Sequence, residues 1–144
     1  MIFMEVLAVK HGVEGENLKR YFSVLKNALT RASETHGFDL VVGPDYALQS
    51  FNDKIVDIDK YKSVIDELSK ISSFYKGVVF LPGTLMKPIG SRLVSLVAPM
   101  FIDSNMSKEF YKETDSGEEE YAKAVGFKYS RGNSKKNHFE LNGE

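Results

Sequence analysis

The 144-residue sequence contains no cysteine. That excludes disulfides, thiolate-ligated metals and a cysteine nucleophile supplied from within these residues, and it leaves no mark of an oxidising compartment. Surplus charge is also lacking: 19 basic residues stand against 20 acidic ones, for a formal net charge of −1. Attraction to a nucleic-acid backbone needs a basic excess, so nucleic acid is not an expected partner. No apolar run is long enough to cross a bilayer. The opening stretch MIFMEVLAV is interrupted by Glu5 and has no basic residues ahead of it, so it reads as a first strand rather than a leader. The three histidines, His11, His36 and His138, lack metal-ligand spacing, and no metal is expected. Pro82-Gly83-Thr84 lacks the glycine pattern and lysine of a phosphate-cradling loop, so no nucleotide cofactor is expected either. A cytoplasmic protein without cofactors or a membrane partner is the resulting expectation.

What is present suits a globular chain: 42% hydrophobic and 27% charged residues, in one domain spanning 1–144 that buries roughly two-thirds of its unfolded surface. A β-rich run ends at Gly12. A helix follows, with Asn17 as cap and Leu18, Phe22, Leu25, Leu29 and Ala32 at helical spacing, stopping at His36-Gly37. FDLVVGP is continuously apolar, as a strand covered on both faces would be. A second helix is expected from a cap at Asp59, with Val64, Ile65, Leu68, Ile71 and Tyr75 as its inner stripe and Lys76-Gly77 as its end. VVFLPGTLM then reads as a strand broken by Pro82-Gly83. SRLVSLVAPMFIDS reads as a further strand in which Pro99 implies an edge position or a bulge. KEFYKETD continues the extended character, a short helix is expected near Glu118 to Ala124, and HFELNG looks like a strand entering a turn. The fold class is therefore α/β: two βα units and further strands forming a helix-covered sheet.

Asp45 is the leading candidate for a functional side chain. It lies one residue past Pro44 at the exit of an apolar strand, and ligands of open α/β sheets collect beyond the carboxyl ends of such strands. A turn aspartate bonded to the backbone of Ala47 would have the same sequence. Asp53, Asp57 and Asp59 read as capping and solvated surface ahead of a helix, and GNSKKNH with Arg131 reads as an exposed basic loop.

The order of these segments resembles the N-terminal half of the nitrilase, or carbon–nitrogen hydrolase, superfamily. DLVVGPDYAL falls where that family has a Phe-Pro-Glu element, with Asp45 in place of its glutamate and Gly43 in place of its phenylalanine. VVFLPGTLM is similar to the strand that ends in a Gly-Thr turn. The run LVSLVAPMFIDSNMSKEFYKET resembles the strand pair carrying the family's lysine, which Lys112 matches. The remainder follows the layout of an acidic stretch, a glycine-containing loop and a closing FE-x-NG turn. The resemblance implies half of an αββα sandwich and hydrolysis of an amide or nitrile. In that chemistry a thiolate attacks, a carboxylate serves as general base, and a lysine stabilises the tetrahedral intermediate. Asp45 then stands for the base, Lys112 for the cation, and Glu119 or a neighbour within Glu118–Glu120 for a second acid.

Two departures bear on activity. Aspartate is one methylene shorter than glutamate, and the family's cysteine follows the turn that FELNG resembles, beyond the last residue here. Three situations are expected to differ in behaviour: a truncated or split hydrolase completed by a cysteine-bearing chain, a non-catalytic relative that self-associates or binds a small amide-like ligand or a protein, and an unrelated α/β domain in which Asp45 and Lys112 do not approach one another. Either of the first two leaves an apolar sheet face to be covered, by a complementary chain or by a second copy.

Overall fold

The computed structural model describes residues 6–8, 18–34, 40–44, 48, 57–113 and 117–132. Helix α1 (Leu18–Glu34) buries Tyr21, Leu25, Ala28, Leu29 and Ala32, the i, i+4, i+7, i+8, i+11 stripe of one helical face. Helix α2 (Ile58–Ser73) buries Tyr61, Val64, Leu68 and Ile71, at i, i+3, i+7 and i+10. Its cap is Asp57 rather than the expected Asp59: the Asp57 side chain accepts from Lys60 N at 2.6 Å, while Asp59 lies in the first turn, where a negative charge favours the helix dipole. The helix ends at Ser73, ahead of a turn closed by Gly77 at φ 79°. Asn17 and the HFELNG segment lie outside the described residues.

Strands β1 (Val6–Ala8), β2 (Leu40–Val42) and β3 (Val79–Leu81) pair in parallel, Val6 with Leu40 and Leu40 with Val79. The break at Pro82-Gly83 separates β3 from β4 (Leu85–Ile89). Strand β5 (Arg92–Ile102) is the long organising element. It pairs antiparallel with β3 and β4 along one edge; along the other it pairs antiparallel with β6 (Asn105–Tyr111) and parallel with β7 (Lys128–Ser130). Pro99 therefore sits in a central strand, and the edge position expected from it is not found. The ladder accommodates the missing N–H beside an irregularity, because the β5–β6 register shifts between Met100 and Phe101. β7 was not expected from the sequence.

The pleat sorts the sheet into two faces. Val41, Phe80, Leu85 and Phe101 join the core under α1 and α2. Met86, next to Leu85 on β4, joins Leu93 in a smaller core beneath helix α3 (Glu118–Ala124), which contributes Tyr121 and Ala122. The helices thus do not share one face: α1 and α2 cover one side, and α3 sits against the opposite side at the β4–β5 end. No helix among the described residues is long and apolar enough to cross a membrane.

Candidate functional site

Strand directions decide where the candidate residues can meet. β5 runs opposite to β3, and β6 runs opposite to β5, so β6 runs the same way as β2 and β3. The carboxyl ends of β2, β3 and β6 consequently share one rim. Asp45 lies outside the described residues, as do His11, His36, Asp53 and His138. Lys112 follows β6 directly.

A cleft of about 310 Å³ opens at this rim on the face away from α1 and α2. Val42 and Gly43 at the end of β2, Leu81, Gly83 and Thr84 after β3, Ala98 of β5 and Phe110 of β6 line it. Gly43 is required by close approach. Its N–H donates to Leu81 O at 2.7 Å, and the buried Tyr21 hydroxyl donates to Pro82 O at 2.5 Å. A Cβ on residue 43 would stand 2.1 Å from that hydroxyl and 2.2 Å from the Pro82 oxygen. Burial pushes the Tyr21 phenol well above its usual range, so it stays a donor. No larger side chain has room at position 43.

Lys112 is two residues beyond Phe110. Its Nζ donates to Glu118 Oε1 at 2.5 Å. The Glu118 side chain is 1% exposed and that of Lys112 is 23% exposed. Glu118 occupies the inner face of α3 with Tyr121 and Ala122, at i, i+3 and i+4. Glu119 is turned outward, 41% exposed, and pairs with Lys123 at 3.0 Å. Of the three adjacent glutamates, Glu118 is the one brought to Lys112, and helical spacing could have selected it, since it shares a stripe with the buried pair. Gly132 N donates to Lys112 O at 2.9 Å, and a side chain at 132 would collide with Tyr111. The loop after β7 is thereby closed onto the end of β6.

A second polar cluster, not foreseen from the sequence, lies on the opposite face under α2. Glu109 of β6 receives Lys87 Nζ of β4 at 2.6 and 2.9 Å, Tyr111 Oη at 2.6 Å, and the Tyr61 hydroxyl of α2. Burial alone would raise the Glu109 carboxyl, but the hydrogen bonds from Lys87, Tyr111 and Tyr61, with the lysine charge, outweigh it and hold it below the usual range. Burial, then the bond to Glu109, pushes the Tyr111 phenol up to about 12. The only sequence signal was that Tyr61 stands three and seven residues before Val64 and Leu68 on the inner stripe. Among the described residues no group of three or more histidines and carboxylates is placed to hold a metal.

No family model and no curated protein matches the sequence. Solved structures do match. A carbon–nitrogen hydrolase from Helicobacter pylori superposes with a TM-score of 0.65 at 14% identity, over 88% of this chain and 44% of its own. This chain has a nitrilase-type fold. Nit3 of Saccharomyces cerevisiae, a member of branch 10 of the nitrilase superfamily, gives 0.62 at 12% identity, over 89% of this chain and 49% of its own. A glutamine-dependent NAD+ synthetase from Acinetobacter baumannii gives 0.67 at 14% identity, over 97% and 26%. The chain thus spans between about a quarter and a half of the length of these proteins, and the likeness is one of fold.

Proposed function

We propose that this chain is a carbon–nitrogen hydrolase-like module whose β2–β3–β6 rim binds a small amide or nitrile. The carrying observation is the Lys112 ammonium fixed at that rim by a buried carboxylate. Lys112 would donate to the substrate oxygen as it gains charge, Glu118 would hold the ammonium in place, and Asp45 would act as the base. A thiolate does not occur among these 144 residues. The residues here therefore supply binding and polarisation, and the sulfur that attacks the carbon would come from outside these 144 residues. Alone, the module is inactive or nearly so, since loss of the nucleophile removes most of the rate enhancement of a covalent mechanism.

Amide NMR of the labelled chain titrated with butyramide tests this. Shifts centred on Thr84, Ala98 and Phe110, abolished in Lys112→Met, are expected; shifts elsewhere, or shifts indifferent to Lys112→Met, refute it. A second reading, a non-catalytic module that self-associates, is favoured by the partial exposure of Val42, Leu81, Ala98 and Phe110 on the face away from α1 and α2. Light scattering separates the two: a dimer whose formation shields Phe110 supports self-association, whereas turnover on addition of a cysteine-bearing partner supports the hydrolase.

A further inference from the structure

We propose that Glu109 is a positioning residue for Lys112: its half-buried clamp holds β6 in a bulged register, and that register alone directs Lys112 to the cleft face. The β5–β6 hairpin turns through Asp103 and Ser104, both at positive φ (49° and 74°), a two-residue turn that fixes the register at its own end. Ile102 pairs with Asn105 and Phe101 with Met106, but Met100 then pairs with Lys108, leaving Ser107 as an extra residue.

Regular continuation of the hairpin would place Val97 opposite Phe110 instead of Tyr111, with the turn unchanged. Every side chain after the bulge would change faces. Phe110 and Lys112 would point under α2, and Glu109 and Tyr111 would point into the cleft. The backbone does little to forbid this, because Pro99, the partner of Glu109, has no N–H to give the ladder. The side chains do forbid it. Glu109 and Tyr111 are bonded to each other on the α2 side and tied to Lys87 and Tyr61, while on the other side the Lys108 ammonium lies 5.4 Å from the Phe110 ring centre. The regular register would leave Lys87, 21% exposed in its side chain, without the carboxylate that compensates its burial.

The inference deepens the function proposed above and relies on it for the role of Lys112, but its test reads register without ligand. The Lys87→Met/Glu109→Leu chain replaces the pair by apolar side chains of similar size, a change such sites tolerate. Expected is a folded protein with a second set of cross-strand NOEs, Val97 to Phe110, and amide protection in β6 lowered at least about 10-fold relative to β3. Deleting Ser107 in that background should restore Val97 opposite Tyr111 as the single register. Native pairing with unchanged protection in the folded double variant overturns the proposal. Should that variant not fold, Glu109→Gln takes its place: a second register with lowered β6 protection supports the proposal, and native pairing with unchanged protection overturns it. Loss of butyramide binding with register intact would instead count against the proposed function.

Discussion

Replacing Lys112 by methionine is expected to destabilise the fold more than replacing its partner, and the asymmetry follows from exposure. Glu118 is 1% exposed, whereas Lys112 is 23% exposed. Without the ammonium, the carboxylate stays buried and loses a 2.5 Å charge-assisted bond; without the carboxylate, the lysine can swing into water. Removing one member of a buried pair costs about 3–5 kcal/mol. The rim position of Lys112 places Lys112→Met near the lower end, about 3 kcal/mol, or a fall in melting temperature of about 10 °C for a chain of this size. Glu118→Gln, which keeps the shape and an acceptor, should cost about 1 kcal/mol. The double variant Lys112→Met/Glu118→Leu should recover most of the loss, because apolar replacement removes both desolvation costs. Urea denaturation of the four chains at pH 7 compares their stabilities. A Lys112→Met chain within about 1 kcal/mol of wild type, or a double variant less stable than Lys112→Met, refutes the reasoning.

Glu109 is held below the usual carboxylate range in the folded chain, so its contribution is present above the unfolded value near 4.3 and is lost as pH falls through the lower folded value. The urea midpoint should fall on acidification below about pH 5, and Glu109→Gln should flatten that limb. Tyr111, raised to about 12, contributes fully below its unfolded value near 10 and loses that contribution as pH rises towards 12; Tyr111→Phe should reduce the alkaline loss seen by circular dichroism. Gly43→Ala forces a Cβ to within 2.2 Å of the Pro82 oxygen and should cost at least about 2 kcal/mol in urea. Adding Tyr21→Phe should not rescue it, because the obstructing Pro82 atom is backbone. Asp57→Ala removes the α2 cap bond and should cost about 1 kcal/mol, read as a fall of ~3–4 °C in melting temperature.

The helices were legible because their inner faces are written in local periodicity. Leu25, Leu29 and Ala32 on α1, and Val64, Leu68 and Ile71 on α2, are buried as their spacing required, and the short helix appears at Glu118–Ala124 as expected. The sheet was less legible. Pro99 marked a real irregularity, but a residue that cannot donate on one side says nothing of how many strands flank it, and β5 proved central. The Glu109 clamp was invisible because its four members lie on three elements at separations of 2 to 48 residues. The α3 glutamates fall between these cases: Glu118 is selected by the same i, i+3, i+4 rule that found the helices, once the rule is applied to a charged residue on an inner stripe.

The rim joining β2 to β6 is a matter of direction more than of distance along the chain. Two reversals separate β3 from β6, one at the Pro82-to-Gly90 segment that delivers β5 antiparallel and one at the Asp103-Ser104 turn. Two reversals restore the original direction, so a residue leaving β6 emerges at the edge where β2 and β3 also end. Direction alone would bring Lys112 to the rim on either face. The face is chosen by one extra residue, Ser107, and by the half-buried Glu109 carboxylate that makes the bulged arrangement the better one. Inserting a glycine after Ser107 while keeping Glu109 clamped should therefore enlarge the bulge and leave Lys112 bonded to Glu118, with its Nζ resonance unmoved. The same insertion in the Lys87→Met/Glu109→Leu background should let the strand slide and shift that resonance, and an equal response in both backgrounds would show that the clamp does not choose the face.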